Sequence, residues 1–142
     1  MFAKVLLAAD GSEPSLRAAA MLPQLKELNP DLQVTVLTVY PQLPNAGLSP
    51  LLNYGQLVEA AEEYMAEIAA RYRELLAGWG LTAETRQVFG DPGEVIAREA
   101  ERGGYDLILM GTRGLTNLEG LVLGSVAHKV LHLARVPVML VK

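Results

Sequence analysis

The sequence predicts an α/β fold: an open, five-stranded, mostly parallel sheet flanked by helices. Three observations point to it. Five short apolar runs alternate with four segments of helical character. Glycine or proline marks most of the joints between them. The chain has 142 residues, 51% of them hydrophobic, which is enough for one core of ordinary domain size and too little for two. Right-handed crossovers covering both faces of the sheet satisfy such an alternation.

Val5 to Ala9 reads as a buried strand. Asp10-Gly11-Ser12 then turns the chain into a helix capped by Ser12, with Pro14 in its first turn and Leu16, Ala19 and Ala20 toward the sheet. Pro23 would crowd the carbonyl of Ala19, so a kink or an early end is expected. Running the helix straight through would cost roughly 3 kcal/mol. Gln33 to Tyr40 supplies the second strand. The stretch PQLPNAGLSPLLNYG carries three prolines and two glycines and reads as a loop, either ordered over a site and gating it or a passive connection.

A long helix follows over about 57–76, with Val58, Ala61, Met65, Ile68, Tyr72 and Leu75 forming one apolar stripe. Gly78 and Gly80 end it, and the alternation from Thr82 to Phe89 suggests a more exposed strand. In Asp91-Pro92-Gly93-Glu94, Asp91 can cap a helix, Pro92 has no N–H to lose and Glu94 can complete a reciprocal cap. Gly103-Gly104 stops that helix. Tyr105 to Met110 forms an apolar strand running directly into Gly111, and a glycine-marked loop, a helix around Ser125–Leu133 and the strand Val136–Val141 complete the chain.

Composition excludes several functions. The formal net charge is −4, and neither half of the chain has the positive excess that a nucleic-acid or anionic-membrane surface demands. A local pocket for one polyphosphate is still allowed, since backbone donors act locally. The absence of cysteine excludes thiol catalysis, disulfides and Cys-ligated metals. The opening MFAKVLLAAD reaches Asp10 too soon for a signal core, and no long uncharged apolar stretch follows, so a cytoplasmic chain is expected.

The chemistry concentrates in MGTRGLTNLEGLVLGSVAHKV, residues 110–130. Gly111, Gly114 and Gly124-Ser125 define G-x2-G-x9-G-S immediately after a core strand. Glycines there leave backbone N–H groups unshielded, Ser125 adds a hydroxyl, and the following helix start favours negative charge, so the segment has the outline of a phosphate cradle. Ordinary structural turns are the competing reading. The pattern is not G-x4-G-K-[S/T], and Asp10-Gly11-Ser12 is not the G-x-G-x-x-G fingerprint of dinucleotide-binding folds.

Residues 3–141 resemble the universal stress protein family, in its ATP-binding branch. KVLLAADGSEPS is similar to that family's first strand and acidic turn, VTVLTVY to its second strand, and DLILMGTRGLTNLEGLVLGSVAHKVLHLARVPVMLV to its carboxyl-terminal region. The resemblance implies a Rossmann-like adenine-nucleotide-binding fold with ATP between the first and fourth strands. It places Asp10 near the ribose and the backbone of Ala9 and Val39 along adenine, with Met110 and Val126 lining the pocket. Gly111, Gly114, Gly124 and Ser125 would hold the phosphates, and Arg113 would approach them. For Asp10 a turn or cap, for Met110 and Val126 a core place, and for Arg113 a solvated loop position stay open beside these roles.

Mg2+ bridging the phosphates is compatible with the resemblance but has no dedicated motif. His128 and His132 share a helix face without a third ligand, so a surface place is the simpler reading. Lys129 between them reads as a solvated charge or as an attractor of phosphate. Glu59, Glu62, Glu63 and Glu67 form the wet side of the long helix. No residue is marked as orienting water for hydrolysis, which favours a nucleotide-dependent stress or signalling switch over an efficient ATPase. The alternatives are a slow ATP-hydrolysing enzyme and a dimeric interaction module with a vestigial nucleotide site. The resemblance also implies a homodimer through the final strand, VPVMLV, with Pro137 constraining the register.

Overall fold

A computed structural model describes residues 2–41, 53–114 and 123–142. Five strands, β1 (Lys4–Ala8), β2 (Gln33–Tyr40), β3 (Glu84–Phe89), β4 (Leu107–Gly111) and β5 (Val138–Val141), form one sheet in the order β3-β2-β1-β4-β5. Every neighbouring pair is parallel. From β1 the chain builds outward through β2 and β3, then crosses back to add β4 and β5 on the other side. The reversal falls between β1 and β4, where the crossovers diverge and leave a crevice at the carboxyl ends of the strands.

Strand alternation sorts the core into two layers. Val5, Leu7 and Leu109 face one side, together with Ala18 and Ala19 of α1 (Glu13–Ala19), Leu22 of α2 (Leu22–Leu28), and Ile68, Tyr72 and Leu76 of α3 (Tyr54–Gly78). Leu6, Ile108 and Met110 face the other, against Val95, Ile96 and Ala100 of α4 (Pro92–Arg102) and Ala127 and Val130 of α5 (Ser125–Leu133). The two central strands β1 and β4 are therefore apolar on both faces, while β2 also buries Thr35 and Thr38.

The expected break near Pro23 appears as two helices. α1 stops at Ala19, and Pro23 sits in the first turn of α2, where its missing N–H costs nothing. Ser12 caps α1 by accepting from the Ser15 N–H at 3.3 Å. Ala18 takes the buried place that the sequence assigns to Ala20, which closes the last turn of α1 on its exposed side. α3 starts at Tyr54, three residues before the expected start, because Asn53 provides a cap to the Gln56 N–H. Its buried stripe ends on Leu76 rather than on half-buried Leu75. The anticipated gating loop falls mostly on residues 42–52, outside the described residues.

Asp91 caps α4 by accepting from the Glu94 N–H at 3.1 Å. The reciprocal half of the cap is replaced by an ion-pair bridge. Lys129 of α5 lies 2.9 Å from Asp91 and 3.5 Å from Glu94, with its stem packed against Gly93. The hydrogen bond from Lys129 lowers the Asp91 pKa. Lys129 is a solvent-exposed charge, as the sequence suggests, and it pairs across the surface from α5 to the start of α4.

Candidate functional site

The crevice between β1 and β4 holds a cavity of about 480 Å³. Its wall includes all ten residues singled out in the sequence. Ala9 and Asp10 come from the end of β1, Val39 from β2, and Met110 and Gly111 from β4. Arg113 and Gly114 follow β4, while Gly124, Ser125 and Val126 bring in the start of α5. Residues 115–122 of the glycine-marked loop lie outside the described residues. Among the wall residues that sequence reasoning did not single out, Leu37, Pro41, Pro92 and Ile96, with two alanines, are apolar, and Ser15 adds a hydroxyl. Pro92 and Ile96 read from sequence only as a helix start and a core residue. The signal that finds them is that α4, like α5, begins at the carboxyl edge of the sheet.

The polar groups of this wall have definite orientations. The β1–β2 register ends at the Ala8–Leu37 pair, and the ladder bond beyond it runs from the Ala9 N–H to the Leu37 carbonyl at 2.9 Å. Gln33 also turns toward β1, donating to Ala3 at 2.8 Å. Val39 has the same parity, so its N–H and C=O aim at the β1 side where the strand has already ended. A donor and an acceptor on one residue therefore border the cavity.

Asp10 makes the local turn expected of it and also borders the cavity. Its Oδ1 accepts from the Ser12 N–H at 2.9 Å, which makes a tight local turn. Its Oδ2 faces Gly114, where an added Cβ would come within 3.0 Å. The carboxylate therefore closes the turn and still borders the cavity.

The three glycines differ in what they do. An added Cβ on Gly111 would lie 2.6 Å from Pro14 Cβ and 2.7 Å from the Pro14 carbonyl carbon, so this glycine admits α1 against β4. Gly124 has an ordinary φ of −73° and caps α5, and its N–H donates to the Thr112 carbonyl at 2.7 Å. Its amide is thus engaged within the loop. The donors at this end are the N–H groups of Ser125, Val126 and Ala127, since the first bond of α5 is His128 N–H to Gly124 at 2.9 Å. An anion at this helix start meets those amides and the positive end of the helix dipole.

Beneath Asp10 runs a buried chain of hydrogen bonds that the sequence does not reveal. The Gly11 N–H donates to the Tyr72 hydroxyl at 3.1 Å, Tyr72 donates to Ser15 Oγ at 2.7 Å, and Ser15 donates to the Ala8 carbonyl at 2.9 Å. Burial, the leading cause, raises the Tyr72 pKa, so the phenol is a protonated donor across the neutral range. The helical stripe identifies Tyr72 only as core.

His128 and His132 are both exposed, and among the described residues no group of three His, Cys, Asp or Glu side chains could hold a metal ion. Among the described residues, too, no helix is long and apolar enough to cross a membrane.

Comparison with known proteins agrees with the fold. The model of the Universal stress protein family matches residues 1–142. Universal stress protein MJ0531 of Methanocaldococcus jannaschii is 34% identical over 143 residues, covering 100% of this chain and 83% of the relative. The solved structure of protein MJ0577, from the same organism, is similar with a TM-score of 0.76 at 27% identity, covering 100% of this chain and 96% of that one. A universal stress protein family protein of Arabidopsis thaliana, solved with AMP bound, shares the fold with a TM-score of 0.69 at 20% identity, over 99% of this chain and 91% of that one.

Proposed function

The chain belongs to the universal stress protein family, and on that footing we propose that it binds ATP or a related adenine nucleotide as a nucleotide-dependent stress or signalling switch. The observation that carries this reading is the convergence, in one cavity, of the Val39 amide, the Asp10 carboxylate and the start of α5. The Val39 C=O suits the 6-amino group of adenine and its N–H suits the ring nitrogen beside it. Leu37, Ile96 and Met110 offer apolar surface to the base. Asp10 accepts from a ribose hydroxyl. The amides of Ser125 to Ala127, with Arg113 and the Ser125 hydroxyl nearby, receive the phosphates.

The donor set fits a polyphosphate, and the space left by Gly114 and Gly124 is space that a Cβ would enter. Mg2+ belongs to this reading as an ion held chiefly by the phosphate oxygens. Binding without efficient turnover is the favoured mode, because no side chain is marked as a base for an attacking water. Calorimetric titration with ATP, ADP and AMP, paired with a phosphate-release assay, tests it. One site per chain with negligible release is expected; sustained release would make the protein a slow ATPase, and no heat with any nucleotide would favour the interaction module.

The open edge of β5 favours a homodimer as part of the same reading. Pro137 accepts from the Ile108 N–H and Val141 accepts from the Thr112 N–H, both at 2.9 Å, so residues of that parity face β4. The missing N–H of Pro137 therefore points inward, while Val138 and Leu140 present complete amides to the free edge. Pairing with a second copy would cover that edge and four half-buried apolar side chains. Light scattering is expected to give twice the chain mass, and a concentration-independent monomer would refute the dimer.

A further inference from the structure

We infer that Tyr72 is a positioning residue for the Asp10 carboxylate: by accepting from the Gly11 N–H it fixes the turn that holds Asp10 Oδ1 and presents Oδ2 to a ligand's ribose hydroxyl. The inference rests on the adenine-nucleotide reading of the cavity. It gives a role to a residue in the opposite layer of the sheet, outside the cavity wall.

The sheet lets go of the chain just before Asp10. The Ala9 N–H donates to the Leu37 carbonyl at 2.9 Å, and past that point neither neighbouring strand pairs with β1. Asp10 Oδ1 then accepts from the Ser12 N–H at 2.9 Å, a bond that forms only when ψ of Asp10 and φ of Gly11 bring the two together. Those two dihedrals flank one peptide, whose N–H belongs to Gly11. That N–H donates to the Tyr72 hydroxyl at 3.1 Å. Gly11 has a φ of +83°, and glycine adopts either sign of φ readily, so the Tyr72 bond selects one conformation where the backbone allows several. With Oδ1 so held, Oδ2 is the oxygen turned toward Gly114.

Tyr72 is well fixed for this task. Its side chain is fully buried, its proton is donated to Ser15 Oγ at 2.7 Å, and Ser15 donates to the Ala8 carbonyl at 2.9 Å. The chain of bonds thus grips the strand before Asp10 and the amide after it. Ser12 Oγ also approaches the Arg113 carbonyl, but at 3.5 Å that is a weak tether. A phenylalanine at position 72 would fill nearly the same volume and leave the Gly11 N–H without this acceptor.

Poorer packing alone would lower every affinity and leave their ratios as they were, so the test is a ratio. The full chain and its Tyr72→Phe variant are titrated calorimetrically with ATP and with 2′,3′-dideoxy-ATP, which lacks both ribose hydroxyls. The unsubstituted chain is expected to prefer ATP by about tenfold, the worth of one charge-assisted hydrogen bond. In Tyr72→Phe that preference is expected to fall to about threefold or less, as the carboxylate loses its fixed direction. The preference for ATP over purine riboside triphosphate, which lacks only the 6-amino group, is expected to stay unchanged.

An undiminished ribose preference in the variant overturns the inference and leaves the nucleotide site standing. A fall of both preferences together also overturns it, because that marks a general loosening of the cavity. If the unsubstituted chain binds ATP and its dideoxy analogue equally, the role of Asp10 fails and the inference with it; failure to bind either overturns the site reading as well. Should Tyr72→Phe not fold, Ser15→Ala keeps the ring packed and removes the acceptor that orients the hydroxyl. That variant is expected to lower the ribose preference by about twofold or more, and an unchanged preference there counts equally against the inference.

Discussion

Gly124→Val is expected to weaken ATP binding by about ten- to a hundredfold, the equivalent of roughly 1–3 kcal/mol of overpacking. An added Cβ lies 3.3 Å from both Arg113 Cα and the Thr112 carbonyl oxygen, a close fit even before the two methyl groups are placed. Those methyls must enter the cavity or displace the turn that carries Arg113 and Gly114. The backbone itself tolerates valine, since φ is −73° and ψ is 164°. Binding should therefore fall much further than stability. Calorimetry alongside a urea midpoint checks this, and unchanged affinity in a folded variant would remove Gly124 from the site.

Gly111→Ala is expected to act in the opposite proportion, costing about 2–3 kcal/mol of stability. The contacts that a Cβ would make at 2.6 to 2.8 Å include the Pro14 carbonyl carbon and the Ser15 nitrogen, backbone atoms at the start of α1. No rotamer change relieves them. α1 must move away from β4, which also disturbs the Ser15 hydroxyl and the turn at Asp10. A denaturation midpoint equal to that of the unsubstituted protein would show that α1 yields without cost.

These two glycines belong to one motif yet serve different ends, and sequence alone treats them alike. Spacing located the G-x2-G-x9-G-S segment because the residues sit at successive strand and helix ends, where local chemistry is strong. Ser12, Pro23 and Asp91 were legible for the same reason: caps and proline act within one helical turn. Strand order was legible only as a class, through the alternation of apolar runs with helices.

What escaped the sequence lies in contacts between residues far apart in the chain. Tyr72 reaches partners 57 and 61 positions away, so helical periodicity reports its ring and says nothing of its hydroxyl. Lys129 reads as an exposed charge, which it is, but its partners Asp91 and Glu94 come into view only when α5 is set beside α4. The amide of Gly124 looks available until Thr112 is placed against it. In each case a local rule gave the residue's type of environment, and tertiary packing chose its partner.

The most direct measurement is a map of the protein crystallised with ATP and Mg2+. Adenine is expected against Val39, with its amino group on the carbonyl, ribose beside Asp10, and phosphates at the start of α5. Density for the nucleotide elsewhere, or a closed crevice between β1 and β4 with ATP in excess, would contradict the account.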